Sequence, residues 1–285
     1  MSPDGKQTVG DDAYPLCVAL FWDRLTAAQS APPVWVVAVS AVVALLAVAS
    51  PRLWRLTRIA ITIAHESGHA AASLLSGRRL EGIRLHADTS GETRSRGRRN
   101  GPGMVITALA GYLTPPLLGA GAAALLATRH VTLLLALLLL LLAVTLVLVR
   151  NWYGILAVLL TGGALFAVSW LAGPALRAAF ADTLAWFLLF GGVRPVAELA
   201  RTRRRAVRWP AGQRLASSRA GGPAGRPAGA GGTSDADQLG LLTGVPAGVW
   251  VALFGLFAVG ALVLGARLLI PWPAHLPSLP FHAGR

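Results

Sequence analysis

The chain has 285 residues, 54% of them hydrophobic and only 13% charged, with a formal net charge of +14. That balance excludes an ordinary water-soluble enzyme, since several apolar runs reach or approach the roughly 20 residues needed to cross a bilayer. The positive charge is almost all arginine (Lys6 is the only lysine) and clusters between the apolar runs, as in cytoplasmic loops, so nucleic acid is not an expected partner.

Residues 1–33 read as an N-terminal extramembrane segment. Asp4, Asp11 and Asp12 stand where a cleaved signal peptide would carry a basic region. Cys17 is the only cysteine, so no internal disulfide forms. A first span is expected from about Val34 to Ser50, stopped by Pro51 and followed by Arg52, Arg55 and Arg58. A second apolar stretch, Ile59 to Leu75, is rich in small residues, as helices packed inside a bundle are. In the polar segment that follows, Leu80 to His86 alternates apolar and polar residues. Asp88 to Gly91 has turn chemistry, and Glu92 to Ser95 can return as a second strand, which predicts a β-hairpin within about 78–100.

Further spans are expected at about Met104 to Leu126, where Pro115 and Pro116 should kink or break the helix, then at Val131 to Val149, Gly154 to Leu171 and Thr183 to Val193. Residues 34–193 would thus form the membrane core. A basic flexible linker covers 194–233, and residues 234–285 hold a last span, about Val249 to Ile270, and a short tail. The expected fold class is membrane all-α: a polytopic helical bundle of about six to seven spans with a small β-hairpin inserted after the second apolar helix. Arginine placement puts the hairpin and the linker on the cytoplasmic side. The arginines after the first span do not fit a simple count, unless that loop is external or one of the first two segments is not a full crossing. Composition points to a multi-pass protein of a bacterial plasma membrane whose neighbours are the lipid bilayer and membrane proteins or peptides; the oligomeric state is left open.

His65-Glu66-Ser67-Gly68-His69 matches H-E-x-x-H. On a helix, residues i and i+4 share one face, so both imidazoles can bind one Zn²⁺, while Glu66 is placed to take a proton from water. Apart from Asp182, Glu66 is the only carboxylate within the apolar spans. Inserting such a charge costs about 2.5–3.5 kcal/mol, which a metal site offsets and lipid does not. A catalytic Zn²⁺ usually has three protein ligands and one open position. The third can come from Asp235, Asp237, Asp182, Asp88, His86 or Asn151; His275 and His282 in the tail are peripheral. For Asp235 and Asp237 the competing role is to cap the helix that they begin, and for Asn151 it is a polar turn between spans.

Several segments together resemble the site-2 protease group of membrane zinc metallopeptidases, and within it the bacterial B-type branch. They are HESGHA from His65, GIRLHADTSGETR from Gly82, AGYLTPPLLG from Ala110, RNWYG from Arg150 and SDADQLGLLTGVP from Ser234. The resemblance covers about Ile59 to Trp250. It implies peptide-bond hydrolysis within or near the membrane, with Zn²⁺ as cofactor, Glu66 as general base and His65 and His69 as ligands. Well-studied members supply the third ligand from an Asp-Gly motif that these spans lack. In this branch the aspartate of the Ser-Asp-Ala segment takes its place, which implies Asp235, with Asp237 next. Asn151 is the expected hydrogen-bond donor to substrate or oxyanion, the hairpin the expected edge for an extended substrate, and a polar path from the cytoplasmic side the expected route for water. The contrasting readings are an inactive relative, a membrane scaffold with a structural H-E-x-x-H, and a metal-ion transporter.

Overall fold

The structure, a computed structural model, describes residues 13–208 and 234–270. Most of the expected basic linker, the start of the N-terminal segment and the tail with His275 and His282 lie outside the described residues. In chain order the elements are α1 (Ala13–Thr26), α2 (Val34–Ala49), α3 (Pro51–Leu75), β1 (Arg79–Leu85), β2 (Gly91–Arg96), α4 (Pro102–Ala127), α5 (Val131–Leu148), α6 (Trp152–Leu171), α7 (Pro174–Arg208), α8 (Asp235–Thr243) and α9 (Ala247–Leu269).

The helices α4, α5, α6, α7 and α9 are each long and apolar enough to cross a membrane. The helices α2 and α3 qualify only together, as one unit bent by 99°. The bend is written in two residues. Ser50 adopts an extended conformation, and Pro51, with no N–H to continue the helix, opens α3 instead. The first two expected spans are thus two arms of one bent unit, and the described residues hold five candidate spans, or six with that unit counted as one. The bend also settles the arginine count. Trp54 lies level with α7, where the Arg194 guanidinium sits 4.8 Å from its ring centroid, so Arg52, Arg55 and Arg58 belong to the hairpin end of the bundle.

Apolar residues such as Val147, Leu160 and Leu256 are exposed along the outer faces, a surface suited to lipid. The core lies between α2, α3, α4, α7 and α9, where small residues bring helices close. Gly119 and Gly265 both abut Leu189, and a Cβ on Gly191 would overlap Ile61. The helix α4 runs unbroken through Pro115 and Pro116, and Gly192 of α7 packs directly on Pro116. The helix α7 starts well before the expected Thr183 and continues as far as Arg208, past the change of composition at Arg194.

The hairpin is antiparallel, with Ile83 opposite Thr93 and Leu85 opposite Gly91, and an irregularity between Leu80 and Gly82. Ile83 and Leu85 are fully buried. On its other side β1 is held by the strand-like segment after α5: Ile83 bridges to Val149 in parallel, and the Arg150 N–H donates to the Ile83 carbonyl at 2.9 Å. Among the described residues, no strand pairs with the outer edge of β2, which is the hairpin's free edge.

Candidate metal centre

The helix α3 crosses α4 where glycine stands on both sides. A side chain at Gly68 would overlap Thr114 and Ala110, and one at Gly111 would lie 2.6 Å from the His65 ring. This close crossing presses both imidazoles of the i, i+4 pair against α4. The carbonyl of Thr107 meets His69 Nδ1 at 2.7 Å. A carbonyl only accepts, so Nδ1 carries the proton and the neutral ring offers its Nε2 lone pair, the usual support for a metal-binding histidine. His65 is oriented instead by an edge-on contact with Tyr112, centroids 4.9 Å apart, and Tyr112 in turn stacks on Phe254 of α9.

The third group arrives from α8. Ser234 caps this helix: its Oγ accepts from the Asp237 N–H at 3.3 Å, and Asp237 Oδ2 accepts from the Ser234 N–H at 3.1 Å. Asp237 also pairs with Arg203 of α7. Asp235, at the first helical position, is turned inward, and its Oδ2 lies 3.3 Å from His65 Nε2 and 3.2 Å from His69 Nε2. Of the two aspartates, Asp237 takes the capping role and Asp235 joins the two histidines.

The two Nε2 atoms are 3.1 Å apart, so the three donor atoms form a triangle with sides of 3.1–3.3 Å. A tetrahedral ion with bonds of roughly 2.0–2.1 Å needs donors about 3.3–3.4 Å apart. Two imidazoles and a carboxylate also form a donor set that suits zinc. The residues present therefore fit the ion. Among the described residues, these are the His, Cys, Asp and Glu side chains gathered in this way.

Glu66 stands beside the triangle, not in it. Its residue is 4% exposed, and its Oε2 accepts from Thr93 Oγ1 of β2 at 2.7 Å. Gly91, also on β2, is packed so tightly on this side chain that a Cβ there would lie 2.6 Å from Glu66 Oε1. A cavity of about 180 Å³ reaches His65 and Glu66 between α3, Tyr112 and residues 89–91. At about 30 Å³ per molecule it has room for a few waters.

The other candidates fall elsewhere. Asn151 is not brought to the cluster: its Oδ1 accepts from the Leu85 N–H at 3.1 Å, and its Nδ2 donates to the Leu85 carbonyl at 2.6 Å. The amide expected to serve substrate instead extends the pairing of β1. Asp88 accepts from Ser90 in the hairpin turn, and His86 joins the same turn through its backbone. Asp182 is buried near the other end of α7, beside a separate cavity of about 260 Å³ that Leu126 and Leu269 also line. Sequence reasoning missed Thr93, Gly91, Thr107 and Tyr112. Only the first two carried a signal, since strand alternation puts residues 91 and 93 on the same face.

A sequence model for the Peptidase M50B-like family matches residues 38–265, which take in every residue of the cluster and both strands of the hairpin. No curated protein and no solved structure matches the chain.

Proposed function

The chain belongs to the Peptidase M50B-like family, and on that premise we propose that it is a zinc metalloendopeptidase that hydrolyses peptide bonds of membrane-associated substrates. The observation that carries this reading is the convergence of His65, His69 and Asp235 on one point beside a buried glutamate. Those three residues would hold Zn²⁺, which supplies a Lewis acid and lowers the pKa of water. The chain's own residues do the rest. The Glu66 carboxylate accepts the proton of the attacking water and delivers it to the leaving amine. Of its two oxygens, Oε2 is engaged by Thr93, which leaves Oε1 for this transfer. The buried walls formed by Tyr112 and Trp54 limit bulk water to the small cavity at the site.

The cut requires an extended backbone, and the free edge of β2 offers one. Its partner strand β1 is occupied on both sides, so a substrate segment adds next to β2, on the strand that touches Glu66. The arginines at the hairpin end, Arg78, Arg79, Arg84, Arg94, Arg96, Arg98 and Arg99 among them, support a cytoplasmic side for that end in a bacterial plasma membrane.

Metal analysis and cleavage assays on purified protein test the reading. Wild type should carry about one zinc per chain. Glu66→Gln should keep the zinc and lose cleavage by roughly 10²–10⁴-fold. His69→Ala should lose both. Metal-free wild type, or cleavage unaffected by Glu66→Gln, would favour a membrane scaffold whose H-E-x-x-H is structural.

A further inference from the structure

We propose that Thr93 is a positioning residue for Glu66, so that the hairpin, not α3 alone, sets the geometry of the general base. The inference rests on the hydrolytic reading above and assigns a role to a strand residue outside the H-E-x-x-H helix.

A glutamate on a helix surface has three rotatable side-chain bonds, and nothing in its own helix fixes the carboxylate. Here two features of β2 do so. The Thr93 hydroxyl lies 2.7 Å from Glu66 Oε2 and 3.1 Å from the Glu66 carbonyl oxygen. It has one proton to donate, and the shorter contact to a charged acceptor is the stronger. Gly91, two residues earlier on the same face, leaves the volume that the carboxylate fills. Gly91 has an ordinary strand conformation; the residue with positive φ in the turn is Thr89, at 65°. Glycine at 91 therefore serves space, not turning.

The strand carrying Thr93 is itself anchored. Thr93 pairs with Ile83, and β1 is fixed from behind by Arg150 and by the Asn151 amide on Leu85. Neighbours Glu92 and Arg94 point outward and pair with each other, so Thr93 is the side chain of this stretch that faces α3. A chain of contacts thus runs from the start of α6 through both strands to one oxygen of Glu66, while the other packs against Gly91 of the same strand. A substrate segment added to β2 would be laid along the strand that fixes the base.

Two variants and two readouts test this. Thr93→Val keeps the shape and removes the donor, while Thr93→Ser keeps the donor. Thr93→Val should retain zinc and KM and lose about 10- to 100-fold in kcat, the scale of one hydrogen bond to a charged group, and Thr93→Ser should recover most of it. The second readout needs neither metal nor turnover. The carboxylate stretching band of Glu66, identified by infrared difference against Glu66→Gln, should shift in Thr93→Val and stay in place in Thr93→Ser. An unmoved band, loss of zinc in Thr93→Val, or equal impairment of the two variants would overturn the proposal. Cleavage that survives Glu66→Gln overturns the hydrolytic reading and this proposal together. An unmoved band with Glu66-dependent cleavage overturns this proposal alone.

Discussion

Two carboxylates lie buried within the helical body, and they differ in what surrounds them. Glu66, near the hairpin end, is 4% exposed and accepts a hydrogen bond from Thr93, with two imidazoles and a second carboxylate close by. Asp182, near the other end, is 3% exposed, and its Oδ2 has no hydrogen-bond partner among the described residues. Both are costly in an apolar setting. Burial alone therefore does not mark the candidate site; convergence of groups from α3, α4, α8 and the hairpin does. A motif can be recognised in one helix, but the site belongs to the four elements that meet there.

The sharpest way to break this contrast is to remove one carboxylate from each end. Asp235→Ala should abolish stoichiometric zinc and cleavage, whereas Asp182→Asn should keep both and unfold no earlier, with a gain of up to about 1 kcal/mol from taking an ionisable group out of an apolar setting. Metal content and thermal unfolding in detergent decide it, and zinc loss in Asp182→Asn would erase the distinction. A smaller effect is expected inside the reactive end. Gly91→Ala should leave zinc in place, because Gly91 touches no ligand, yet lower kcat by about tenfold or more, because the new methyl group displaces the Glu66 carboxylate. Single-turnover cleavage alongside metal analysis separates the two. The smallest effect should come from Asp237→Ala, which removes the capping box and the Arg203 pair at the start of α8. It should cost about 1 kcal/mol of stability and weaken zinc binding only through looser placement of Asp235, which thermal unfolding and a zinc titration would register.

Much of this was legible in the sequence, where a local pattern suffices. The Leu- and Val-rich runs give α5, α6 and α9, the alternation around Ile83 gives the hairpin, and the spacing of His65 and His69 gives two members of the candidate metal cluster. What was not legible depends on contacts distant in sequence. The Ser50–Pro51 break reads equally well as the end of a crossing, and only the structure shows α2 and α3 as two arms of one unit bent by 99°, with Trp54 packed against Arg194. The charged end of α7 looks like a linker because its arginines are polar, although they form helix readily. Asp235 and Asp237 are separable only once Arg203 and Ser234 have claimed one of them. Asn151 and Gly91 each have a common local explanation, a polar break and a turn glycine. Their actual neighbours, Leu85 and Glu66, lie far along the chain.

The placement of Asp235 on α8 has a bearing on biosynthesis. Four spans, α4 to α7, are made between His69 and this aspartate. On the proposed reading, a nascent chain halted anywhere along that interval would carry two of the three donors and would retain a metal ion poorly. Competence for cutting would then arise only once α8 had joined the two histidines, well after the H-E-x-x-H helix itself was made.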